Sequence, residues 1–167
     1  MSGEKELWSP TLTFYIHNHE AISDENYGVK STYDESVEGF YFKNNKNIKF
    51  LPIGTGAKFP NLKKFHAESG AIRKVSFINL MRLSKLEELN LGYNQIQLIE
   101  EKSFQSLVEL KSLRLNNNLI TKIDRFTLSS LFKLRFLDLS FNRISIITVD
   151  AFEDLDELQE LNLKFNQ

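Results

Sequence analysis

Two histidines stand two residues apart in "HNHE", His17 and His19. On a strand that spacing puts both imidazoles on one face, where they could hold a metal ion. No third ligand follows at a recognisable spacing, so no metal site is expected and the pair reads as a polar loop end. The chain has no cysteine, which removes thiolate zinc sites, cysteine nucleophiles and disulfides together. No G-x-S-x-G elbow and no phosphate-cradling glycine loop appears. The acidic pairs at 87–88 and 100–101 read as solvated faces. Catalysis therefore has no residue to rest on, and no cofactor is expected.

Recognition chemistry is better supplied. Residues recurring at steps of 24 or 25 form three columns that alternation on a strand would turn outward. The central column is Tyr41, His66, Asn90, Arg114, Asp138 and Asn162. The column before it is Gly39, Lys64, Glu88, Ser112, Phe136 and Glu160, and the column after is Lys43, Glu68, Gly92, Asn116, Ser140 and Lys164. Mixed polar groups with a few aromatic points suit a binding face more than a catalytic cleft. The expected contact residues are Tyr41, His66, Glu88, Asn90, Arg114, Phe136, Asp138 and Asn162. Phe136 is either an anchor for a partner or packed on a neighbouring strand's side chain. Arg114 and Asp138 should be neighbours across adjacent strands, as a solvated pair worth about 0 to 1 kcal/mol. Tyr93, Phe141 and Phe165, each just before an asparagine, are read as structural residues in preference to contact residues.

The elements that hold these columns are visible as a repeat. "LEELNLGYNQI" from Leu86 returns as "LKSLRLNNNLI" from Leu110, "LRFLDLSFNRI" from Leu134 and "LQELNLKFN" from Leu158, each step being 24 residues. Going backwards, "LKKFHAESGAI" from Leu62 keeps the step, and "VEGFYFKNNKNI" from Val37 keeps it with about one residue inserted. Leu89 and Leu91 are two apart, so they share the inward face of a short strand while Asn90 points out. Returning every 24 residues lays the strands side by side in a parallel sheet, and no unit can bury its face alone. Asn94, Asn118, Asn142 and Asn166 come where the chain turns away from the strand. Their amides can both donate to and accept from backbone groups that would otherwise go unpaired, so a buried asparagine ladder is expected. Phe104 and Phe152, with Leu80 and Leu128 in the same slot, should fill the outer side.

Residues 1–36 are polar and irregular, with "TLTFYIH" at 11–17 as the best strand and "SDENYG" and "STYDES" as loop; they are read as an N-terminal capping segment. Residues 37–167 make about six units, the last stopping in mid-repeat. That stop leaves two expectations open, self-association through an uncovered last turn or a fragment of a larger receptor.

At 41% hydrophobic and 26% charged residues the composition is ordinary for a folded chain. A net charge of −1 with scattered Lys and Arg gives no sustained positive field, so nucleic acid is not an expected partner. No apolar run reaches the length of a signal peptide or a membrane span, and no glycosylation acceptor occurs, which fits a cytoplasmic chain or an interior fragment.

From residue 37 onward the repeats resemble leucine-rich-repeat proteins of the 24-residue typical subclass. The chain is similar in this to the ectodomains of Toll-like receptors, Slit and chondroadherin and to secreted arthropod members. The resemblance implies an α/β repeat fold, a right-handed solenoid with a short-stranded parallel sheet on the concave face and a loop- and 3-10-rich convex face. It also implies a protein or peptide ligand on the concave sheet, in receptor, matrix or innate-immune roles, and an extracellular or membrane-anchored parent. Those relatives usually carry cysteine-containing caps and a signal sequence, which this chain lacks.

Overall fold

In the computed structural model, residues 13–17, 20–24, 35–42 and 48–167 are described. The backbone begins with two strands, β1 (Thr13–His17) and β2 (Glu20–Asp24), paired antiparallel. β2 then runs parallel to β3 (Gly39–Phe42), the first strand of the repeat. Of the capping segment expected over 1–36, only β1, β2 and residues 35–36 fall within the described residues, and β2 takes in Ser23 and Asp24, which the sequence suggested as loop. His19 and Lys43 lie outside the described residues.

After β3 come a single helical turn α1 (Thr55–Lys58), β4 (Lys64–His66), β5 (Lys74–Val75), α2 (Phe77–Leu80), β6 (Glu88–Asn90), β7 (Leu98–Ile99) and β8 (Ser112–Arg114). The chain ends with β9 (Lys122–Ile123), α3 (Arg125–Leu128), β10 (Phe136–Asp138), β11 (Ile146–Ile147) and β12 (Glu160–Asn162). The long sheet runs β1-β2-β3-β4-β6-β8-β10-β12, and all its pairings from β2 onward are parallel. Six repeat strands thus bound five full turns of a solenoid whose concave face is this sheet. The inserted residue is visible in the register: Phe40 pairs with Phe65, while every later partner is 24 residues on, as Leu89 with Leu113 and Leu137 with Leu161.

Period-two alternation explains the core. Leu89, Leu91, Leu113, Leu115, Leu137 and Leu139 are fully buried, with Leu86, Leu110 and Leu134 behind them. Phe104, Leu80 and Leu128 close the outer side, and Phe152 is half-buried in the same slot. Two small parallel ribbons, β5 with β7 and β9 with β11, run along the turn beyond the asparagines. The convex side is built of loops and tight turns, with α1, α2 and α3 as single helical turns among the described residues. α3 is capped locally: Asp124 accepts from the N–H groups of Phe126 and Thr127 at 3.1 Å each, which satisfies two of the first-turn donors.

Gly56 in α1 sits against the backbone of the next turn. A β-carbon there would come within 2.5 Å of the Met81 carbonyl oxygen and 2.9 Å of the Leu83 nitrogen. Backbone cannot yield as a side-chain tip can, so Gly56→Ala is expected to cost about 1 to 3 kcal/mol. A urea midpoint unchanged from the parent would show that the turns can separate there freely.

Candidate functional site

The concave sheet has two unlike edges. Where the strands begin, charges of alternating sign are paired from turn to turn: Lys63 with Glu38 at 2.7 Å, Lys111 with Glu87 at 2.8 Å, Lys133 with Glu109 at 2.7 Å and Arg135 with Glu157 at 2.8 Å. These pairs are exposed and each adds little stability. Their consequence is that this edge offers a partner few uncommitted charges.

Where the strands end, the asparagines turn the chain. Asn118 Nδ2 donates to the carbonyls of Leu91 and Leu115 at 3.0 Å each, and its Oδ1 accepts from Ile96 N–H at 2.9 Å. Asn94, Asn142 and Asn166 repeat the arrangement. Asn94, Asn118 and Asn142 are buried, and Asn166 is half-exposed. The residue before each asparagine has a left-handed backbone: Tyr93, Asn117, Phe141 and Phe165 have φ of 56°, 54°, 53° and 59°. Phe141 and Phe165 stack with ring centroids 4.3 Å apart.

Between these edges lies an open groove of about 440 Å³, lined by Glu68, Asn90, Tyr93, Arg114, Asn116, Asn117, Asp138, Ser140, Phe141 and Asn162. The eight expected contact residues all lie on strands of this sheet, but they are not equally available. Asn90 and Asp138 are nearly buried, because their side chains cap their own turns. Asn90 Oδ1 accepts from Gly92 N–H at 3.0 Å, and Asp138 Oδ1 accepts from Ser140 N–H at 2.9 Å and from its hydroxyl at 2.6 Å. Asn162 does the same more openly for Lys164 N–H. These turns are Asx turns, in which a short side chain replaces a backbone acceptor two residues on. The sequence signal for them was the N-x-G and D-x-S spacing, which column-reading passes over.

Arg114 is Asp138's register partner, yet no ion pair joins them among the described residues. With Asp138 held by Ser140, the guanidinium lies over the Phe136 ring instead, 4.7 Å from its centroid. That is a cation–π contact, and Arg114 remains exposed. Asn116 and Asn117, half-exposed beside it, add amide donors. Gly92 makes room for Asn116, since a β-carbon there would lie 2.7 Å from the Asn116 Oδ1.

At the other end of the face Tyr41 and His66 meet edge to face, 4.8 Å between centroids. His66 Nε2 is 3.0 Å from Glu88 Oε1, but it is buried and makes no directed hydrogen bond. Among the described residues no group of three or more His, Cys, Asp or Glu converges on a point that could hold a metal. Among them, too, no helix is long and apolar enough to cross a membrane.

A family model described as Leucine rich repeat matches residues 60–120 and 108–167. No curated protein matches the sequence. Among solved structures, a chain of the LRIM1/APL1C complex is 20% identical and superposes with a TM-score of 0.79 over 95% of this chain and 32% of its own length. A chain of the TLR13-ssRNA13 complex is 22% identical, with a TM-score of 0.72 over 96% of this chain and 20% of its own. This chain therefore spans about a third or less of those chains, and the likeness at that identity carries the solenoid fold alone.

Proposed function

The chain belongs to the leucine-rich-repeat family, and from that premise we propose that it is a noncatalytic recognition module that binds a protein or peptide ligand on its concave sheet. The observation that carries this reading is Arg114 over Phe136. Among the described residues Arg114 sits mid-face and exposed with no ion pair, while the strand-start charges pair with one another. An exposed arginine supported by an aromatic ring is the residue type that dominates binding energy at interfaces.

The residues assigned to contact are Arg114 and Phe136 at the centre, with Tyr41, His66, Glu88 and Asn162 around them. Asn90 and Asp138 contribute mainly by shaping the strand ends. The resemblance of the 24-residue repeats to those of Toll-like receptors and secreted arthropod members supports a site of action outside the cell or on a membrane surface, in a receptor-like role. Nucleic acid is the rival partner, since the TLR13 chain was solved with ssRNA13. Against it here, Glu68, Glu88, Asp138 and Glu160 offset Lys64, Arg114 and Lys164 on this face, which leaves no basic track for phosphates.

The Arg114→Ala/Phe136→Ala variant tests the reading. Its thermal midpoint should stay close to the parent's, because both side chains lie outside the core. Its affinity for a partner captured from extract or medium of the native source should fall about thirtyfold, the equivalent of about 2 kcal/mol. A double variant that holds its partner as tightly as the parent overturns the concave assignment.

A further inference from the structure

The slot before each ladder asparagine requires a left-handed backbone, which asparagine tolerates and bulky side chains disfavour. Asn117 obeys that preference, while Tyr93 and Phe141 do not, at φ 56° and 53°. Phe141 has a structural partner in Phe165, on which it stacks, but neither Tyr93 nor Phe141 is buried, at 57% and 49% exposed. Both line the same groove, with Asn117 between them and Arg114 beside them.

Their spacing limits what can lie across them. The corner residues continue the parallel ladder, Tyr93 N–H donating to the Asn116 carbonyl and Asn117 N–H to the Ser140 carbonyl, both at 2.9 Å. Successive slots are therefore one strand spacing apart, and Tyr93 and Phe141 are separated by two, about 9.4 to 9.8 Å. A polyproline II helix has three residues per turn and rises about 3.1 Å per residue, so it presents the same face every 9.3 Å or so. The two repeats match.

We propose that this groove takes an extended, proline-containing peptide segment of a partner protein in the polyproline II conformation, lying along the solenoid axis. This rests on the concave-face reading and names the ligand class. Prolines three residues apart would pack against Tyr93 and Phe141 in turn, as such helices do in aromatic-lined grooves. The intervening carbonyls, which have no partner within a polyproline II helix, face the amides of Asn116 and Asn117. Charge complementarity supplies the third contact: the open edge of Arg114 fits a carboxylate on the same segment, bidentate and in the plane of the guanidinium.

The test is selection of a random-peptide phage library on the full chain. Fluorescence anisotropy of the selected peptides then follows on the parent, on Tyr93→Asn/Phe141→Asn and on Arg114→Ala/Phe136→Ala. Asparagine is chosen because it already stands at position 117 of the same slot, so the backbone is kept. The expected result is enrichment of prolines three apart near an acidic residue, with at least about tenfold weaker binding to each variant. Peptides that depend on Arg114 and Phe136 but lack that proline spacing, and bind the asparagine variant as tightly as the parent, overturn this inference and leave the concave reading standing. Peptides indifferent to both variants overturn both. A single-stranded oligothymidine that binds the parent and fails on the asparagine variant overturns the peptide as occupant.

Discussion

Asn118→Ala is expected to cost roughly 3 to 4 kcal/mol, more than the same change at Asn166. Among the described residues Asn118 holds the one acceptor for Ile96 N–H, and an orphaned buried donor costs about 1 to 3 kcal/mol. Two further bonds are lost, to the Leu91 and Leu115 carbonyls, at about 0.5 to 1.5 kcal/mol each. Neither carbonyl is left bare. Leu91 also accepts from Asn94, and Leu115 also accepts from Asn142. The ladder is thus continuous: each asparagine shares a carbonyl with the next, through Leu91, Leu115 and Leu139. Asn166 is half-exposed, so water can replace its amide. Urea unfolding of the two variants measures the difference, and hydrogen exchange at Ile96 should quicken in the first alone. Equal midpoints for Asn118→Ala and Asn166→Ala would mean that the ladder is not coupled through burial.

The repeat was legible in the sequence because its signal is redundant. Leucine at fixed slots, a 24-residue step and an asparagine at each turn all demand the same parallel stacking, and the register follows from them. Even the inserted residue before Leu62 could be placed. The proposed binding face was less legible, for a physical reason. Alternation gives the direction of a side chain and nothing about what it meets. Asn90 and Asp138 occupy outward columns, yet they fold back onto Gly92 and Ser140. That local bond to Ser140 is what withdraws Asp138 from Arg114 and lets the guanidinium settle on Phe136. The choice for Phe136 between anchor and packed residue thus had no single answer, since it packs on a neighbour that is itself exposed. The strand-start charge pairs could have been found from the same period. Lys63, Glu87 and Lys111 alternate in sign at 24-residue steps, so each finds its opposite on the adjacent turn.

Leu115→Ala should produce the largest change in unfolding behaviour, a loss of about 2 to 5 kcal/mol from the cavity it leaves. Leu115 is fully buried and continues β8, between the turns that carry β6 and β10. A solenoid has no contacts that skip over a damaged turn, so its stability is a sum of unit and nearest-neighbour terms. A lesion at the fourth of six repeat strands weakens the coupling between the turns on either side. The expected unfolding curve is therefore broadened as well as shifted, with a lowered denaturant slope, since a lower slope marks loss of all-or-none unfolding. Leu98→Ala is the matched control: Leu98 is 50% exposed on the short ribbon β7, and the change should stay within about 0.5 kcal/mol of the parent. A parallel shift with an unchanged slope for Leu115→Ala would mean that the turns unfold as one unit. The coupling carried by the asparagine ladder and the long sheet would then exceed the packing lost at one leucine.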